Sequence, residues 1–154
     1  MKIAMFLLMM AAAFLPLGAA QAAGPGADPA KEIVALEKAW LDRWGTGDTD
    51  SFAEVSAPEV TYFDPGLEKR LDGVEALKKY LAPFKGTFRV SRFEMIDPKV
   101  QAYGDVAVLT YNLVDYDETG KATTRWNTSE VYRRLDGKWK LIHSHFSLTK
   151  PKAK

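Results

Sequence analysis

Val131-Tyr132-Arg133-Arg134-Leu135-Asp136-Gly137-Lys138-Trp139-Lys140-Leu141-Ile142-His143-Ser144-His145-Phe146-Ser147 decides the fold of this chain. Two alternating stretches flank Asp136-Gly137, the pair best suited to the left-handed backbone of a two-residue hairpin turn. The pattern predicts strands over about 122–134 and 139–148. With Asp136-Gly137 as the turn residues, Leu135 faces Lys138 and the pairing runs back along both strands. Glu130 then falls opposite His143, Thr128 opposite His145 and Trp126 opposite Ser147. Side chains alternate with period two, so these residues share one face of the sheet.

Working outward, Val106–Tyr116 reads as a third strand, joined by a four-residue turn at Asp117–Gly120. That turn brings Ala107, Leu109, Tyr111 and Leu113 to the same face. Phe88–Met95 and Val100–Tyr103 supply one or two further strands. The N-terminal half has helical spacing instead. Asp28-Pro29 is a helix start, Ile33, Leu36, Trp40 and Trp44 recur on one face, and Gly45 and Gly47 end the helix. Ser51 and Glu54 have capping-box spacing for a short second helix, and Pro58 closes it. Val60–Phe63 is a short strand ended by Asp64-Pro65-Gly66. Asp72-Gly73 opens a third helix, with Leu77, Leu81 and Phe84 inward. Helices followed by an antiparallel meander predict an α+β fold, the helices packed on one face of a curved sheet.

Residues 1–22 have the features of a secretory leader: Lys2, an apolar run over Ile3–Leu17, and Ala20-Gln21-Ala22 as a cleavage signal. Cleavage of the 154-residue chain there leaves 132 residues, enough for one domain. The expected organisation is a leader over 1–22, a flexible stretch over 23–29, a domain over 30–150 and a short tail over 151–154. The product is expected to be secreted, periplasmic or extracellular. The chain has no cysteine, which excludes disulfides, thiolate catalysis and Cys-ligated zinc. Its formal net charge is +1 and Lys2 lies in the leader, so the mature domain is balanced. Such a surface argues against nucleic acid or an acidic membrane as the main partner.

The inner face is apolar with a polar island of Glu130, His143, Thr128 and His145. A buried carboxylate beside an imidazole must be paired or titrate abnormally, which is how general acid–base sites are built. The same pair can equally be a satisfied core network holding the sheet. Asp64 is a second candidate, with a backbone-bonding turn as its plainer role. The two histidines with a carboxylate could hold a metal, but they are the only two in the chain, so no metal and no cofactor are expected. Trp40, Trp44, Tyr62, Tyr80 and Trp126 are mostly core aromatics, with one or two at a cavity mouth.

Gly47-Asp48, Tyr62-Phe63-Asp64-Pro65, Asp72-Gly73 and the tail from Tyr132 to Ser147 resemble the SnoaL-like branch of the nuclear transport factor 2-like superfamily. Within it, the chain is most similar to the association domain of calcium/calmodulin-dependent kinase II and its bacterial stand-alone relatives. The resemblance covers about residues 30–150. It implies a conical, cystatin-like α+β barrel with an interior pocket, dimeric or larger. It does not imply one activity, since members include isomerases, cyclases, dehydratases and assembly modules. The resemblance implies a pocket-strand arginine, as in the kinase association domain, at the position where this chain has Glu130. Ketosteroid isomerases of the superfamily carry their base in a similar Asp-Pro. That similarity implies Asp64 as base, Glu130 near the acid position and Trp40 in place of a tyrosine.

Three functions follow as expectations. The first is a binding module for a small, mostly apolar organic molecule. Its pocket is expected from Trp40, Tyr62, Tyr111, Trp126, Thr128 and His145. The second is cofactor-free proton transfer on a carbonyl substrate, of isomerase or lyase type, with Asp64, Glu130 and His143 as catalytic groups. The third is assembly alone. A homodimer or larger oligomer is expected through the outer sheet face, assigned Val108, Thr110, Asn127, Ser129, Val131, Ile142, Ser144 and Phe146, because no helix remains to cover it.

Overall fold

The computed structural model describes residues 28–149. The expected leader, most of the flexible stretch and the tail lie outside the described residues.

Helix α1 (Pro29–Gly45) begins as its sequence dictates, with Asp28 accepting from Ala30 N at 3.0 Å. Its apolar stripe buries Ile33, Trp40 and Leu41, and the same stripe buries Glu37. Helix α2 (Asp50–Val55) follows, but the expected capping box does not form. Ser51 is buried and donates to the carbonyls of Trp40 (3.0 Å) and Asp48 (2.8 Å), tying the end of α1 to α2. Glu54 instead binds Arg43. Strand β1 (Ser56–Phe63) runs through Pro58 rather than starting after it. Short β2 (Leu71–Asp72) and α3 (Val74–Leu81) come next, and α3 buries Leu77 and Leu81.

The rest is a four-strand antiparallel meander: β3 (Arg92–Tyr103), β4 (Val106–Tyr116), β5 (Ala122–Leu135) and β6 (Lys138–Leu148). The two expected segments before β4 form one strand, broken by an irregularity between Ile96 and Lys99 where Asp97 takes φ 49°. Phe88 and Val90 precede that strand. The sheet order is β2-β1-β6-β5-β4-β3, and β1 joins β6 in parallel. The Asp136-Gly137 turn has both residues at positive φ, 49° and 76°, as a type I′ hairpin requires.

Register departs from simple alternation at one place with large effect. Tyr132 pairs with Leu141, but Val131 pairs with His143, so Ile142 is an extra residue in β6. A bulge of one residue moves every later side chain to the opposite face. Ser144, not His143, stands opposite Glu130, and Phe146, not His145, stands opposite Thr128. Ser144 and Phe146, expected on the outer face, are therefore buried inside. The core lies between this inner face and the helices, from Ala107, Leu109, Tyr132 and Leu141 to Ile33, Trp40 and Leu77.

Candidate functional site

A cavity of about 340 Å³ opens between α1, α3, the loop before β3 and the ends of β4–β6. Aromatic rings make most of its wall. Trp40 stacks on Phe52 at 4.6 Å between centroids, and Trp126 meets Phe146 edge-on at 6.0 Å. Two acids, Asp64 and Asp115, complete the lining.

Asp64 ends β1 in a tight turn. Its Oδ1 accepts from Gly66 N (2.7 Å) and from the Tyr80 hydroxyl (2.9 Å), and its Oδ2 accepts from the Tyr62 hydroxyl (3.1 Å). Burial, with the neighbouring carboxylate accepting its proton, pushes the Tyr80 phenol up to about 12. Tyr62 is raised as well, chiefly by burial. A Cβ on Gly66 would stand 2.9 Å from the Tyr80 hydroxyl and 3.0 Å from Asp64 Oδ1, so this close approach needs glycine. Asp115, at the end of the inner row of β4, is only 8 % exposed and accepts from Trp126 Nε1 at 2.8 Å. Burial raises its carboxyl.

Beneath the cavity lies a second, closed polar layer. Glu37 of α1 accepts hydrogen bonds from the hydroxyls of both Tyr111 and Tyr132. Burial pushes its carboxyl up, and the two phenols oppose that shift. The Trp40 indole N–H opposes it too, though it lies outside hydrogen-bonding geometry and has no partner. Glu130 is fully buried and accepts from Ser144 Oγ at 3.0 Å, while its Oε2 and Thr128 Oγ1 have no partner among the described residues. Burial, and then the nearby Glu37 charge, drives the Glu130 carboxyl well up. With no cation bonded to either acid, Glu130 is the one that keeps its proton at neutral pH.

The expected site residues thus fall into three groups. Asp64, Trp40, Tyr62 and Trp126 line the cavity. Glu130, Thr128 and Tyr111 are inward but sit in the closed layer, apart from the cavity wall. His143 and His145 face the outer side, which corrects the expected Glu130–His143 and Thr128–His145 pairs. His143 Nδ1 lies 2.8 Å from Thr61 Oγ1, and both imidazoles flank Phe63. Burial, then the charges of His145 and Arg70, lowers the His143 pKa. Sequence reading missed Glu37, Ser144 and Asp115. Glu37 lies four residues after Ile33 and three before Trp40, and Asp115 continues the row Ala107, Leu109, Tyr111, Leu113, so spacing alone marks both positions as inward.

This architecture has a family. The calcium/calmodulin-dependent protein kinase II association domain matches residues 29–150. The chain belongs to that association-domain family. Like other nuclear transport factor 2-like and cystatin-like folds, it wraps helices against a curved sheet. A Parabacteroides distasonis protein described as a candidate ketosteroid isomerase is 39% identical, with TM-score 0.72 over 80% of this chain and 90% of that one. The S. rosetta kinase hub is 27% identical, with TM-score 0.64 over 80% of this association domain and 99% of the hub. The Drosophila melanogaster kinase type II alpha chain is 26% identical over 123 residues. These make up 76% of this chain and 23% of the kinase, so the chain spans about a quarter of that relative.

Proposed function

We propose that this chain is a homo-oligomeric binding module that takes a small, mostly apolar organic molecule in its cone and is exported after loss of residues 1–22. The aromatic cavity of about 340 Å³ carries the reading. That volume and an apolar wall with few polar groups are typical of small-molecule sites. Self-association is supported by the hub relative and by the half-buried apolar residues Val108, Val131 and Ile142 of the sheet. Native mass spectrometry of the protein purified from its own host tests both parts. A co-purifying organic molecule on an oligomer is expected; a ligand-free monomer at micromolar concentration would overturn the reading. Intact mass tests export. A species beginning at Ala23 is expected, and one retaining Met1 in the membrane fraction contradicts it.

One observation favours proton transfer as a second reading: Asp64 lines the cavity. Three donors hold its two oxygens, Glu130 and His143 stand outside that cavity, and Asp115, its carboxyl raised by burial, is the second acid on the same wall. Turnover of a model enone that is lost in Asp64→Asn would establish this reading.

A further inference from the structure

The cavity's polar groups are of one kind. Asp64 and Asp115 are its charged lining residues, and no lysine, arginine or histidine joins them among the described residues. Neither acid has an ion-pair partner among the described residues. Most of the wall's side-chain donors are already spent. The hydroxyls of Tyr62 and Tyr80 donate to Asp64, and the Trp126 indole donates to Asp115. Trp40 Nε1 is buried out of reach, which leaves the Trp44 indole as the unengaged side-chain donor of the wall. A carboxylate or carbonyl ligand needs donors and would find the Trp44 indole alone among the described side chains of the wall, set against two acids.

The two acids are not equivalent. Asp64 has both oxygens occupied. Asp115 uses Oδ2 for Trp126, while its Oδ1 makes no hydrogen bond among the described residues, although the side chain is only 8 % exposed. That oxygen is open to the cavity and free to meet a positive group that enters beside the aromatic wall. The rest of the wall is largely aromatic, and a ring face open to the cavity attracts the same charge.

We propose that the cone selects an organic cation, an amine or quaternary ammonium on an apolar body, with its charge held by Asp115 and the aromatic wall beside it. This deepens the reading of the cone as a ligand site and rests on it. Asp64, its charge spread over three donors, contributes field rather than direct contact. The apolar body fills the space toward Phe84 and Phe88.

Phenyltrimethylammonium and its uncharged isostere tert-butylbenzene separate the two levels, with phenylacetate as the anionic control. Binding to the full protein is followed by calorimetry and by quenching of tryptophan fluorescence. The cation is expected to bind on the order of tenfold or more tighter than tert-butylbenzene, and phenylacetate weakest. Asp115→Asn, which keeps an oxygen for Trp126, should bring cation and isostere to near parity while tert-butylbenzene binding persists. Equal or tighter binding of tert-butylbenzene by the unmodified protein overturns the cation assignment and leaves the ligand site standing. Saturating additions of all three probes without binding overturn both. The unmodified protein's own ratio decides the matter even if Asp115→Asn does not fold.

Discussion

Ser144 Oγ stands 3.0 Å from Glu130 Oε1 and is the one hydrogen-bond donor to that buried carboxyl among the described residues. A single neutral donor does not stabilise a charge in a dry core, so the native state holds Glu130 protonated. The unfolded chain releases that proton above the ordinary glutamate value of 4.5. The folded state then binds more protons than the unfolded state, and stability falls as pH rises from there toward the raised native pKa. Each pH unit in that window costs at most about 1.4 kcal/mol. Glu130→Gln, which keeps an oxygen for Ser144, should flatten the slope and gain stability at pH 8. Urea denaturation at pH 5 and pH 8 checks it, and an unchanged slope in the variant would contradict the assignment.

Glu37 depends on two phenols from two different strands. Tyr111→Phe or Tyr132→Phe removes one donor from a buried carboxyl and should cost about 1–3 kcal/mol. In a Glu37→Gln background the same changes should cost measurably less, because the three groups act as one network. Double-mutant cycles by chemical denaturation measure the coupling; strict additivity would show that the phenols act independently of Glu37.

In the turn after β1, Gly66 leaves room for Asp64 to meet Tyr80, and a Cβ there would stand 2.9 Å from the Tyr80 hydroxyl. Gly66→Ala should push the Tyr80 hydroxyl off Asp64, and the Tyr80 phenol should then titrate below its native value of about 12. Ultraviolet difference titration follows it. An unaltered phenol titration would mean the turn yields elsewhere.

Val108 and Val131 are paired neighbours on the outer sheet face. Val108→Lys with Val131→Lys should shift the protein to a smaller species in light scattering while keeping its fold, since both side chains are half-buried outside the core and cross-strand changes cost tenths to about 1 kcal/mol. Leu141→Lys, on the inner face, should instead unfold it. A double lysine variant of unchanged mass would move the interface elsewhere.

Much of this was legible in the sequence because the strongest signals are local. Asp136-Gly137 set the hairpin, and Asp28-Pro29 set the start of α1. A four-residue turn at Asp117–Gly120 implies Leu113 opposite Thr124, whereas its observed partner is Trp126, two residues on. An even error leaves every side chain on its correct face, so Ala107, Leu109, Tyr111 and Leu113 still came out inward. The β5–β6 error was a single residue and exchanged two histidines for Ser144 and Phe146. Nothing in Leu141-Ile142-His143 announces a bulge: no glycine is present, and Ile142 has ordinary strand propensity. Glu37 escaped notice for a different reason, since a charged residue on an apolar stripe looks like a flaw until the tyrosines that bind it are placed in space.

The bulge also bears on how relatives of this chain are to be compared. Ile142 lies between the Tyr132–Leu141 pair and the Val131–His143 pair and has no partner of its own on β5. A homologue one residue shorter at this point could run as an unbroken ladder with Ser144 and Phe146 still turned inward. An alignment without a gap at Ile142 would set interior positions of one protein against exterior positions of the other. Counting histidines in the cone from such an alignment would assign an acid–base site to proteins that carry those imidazoles on their outside.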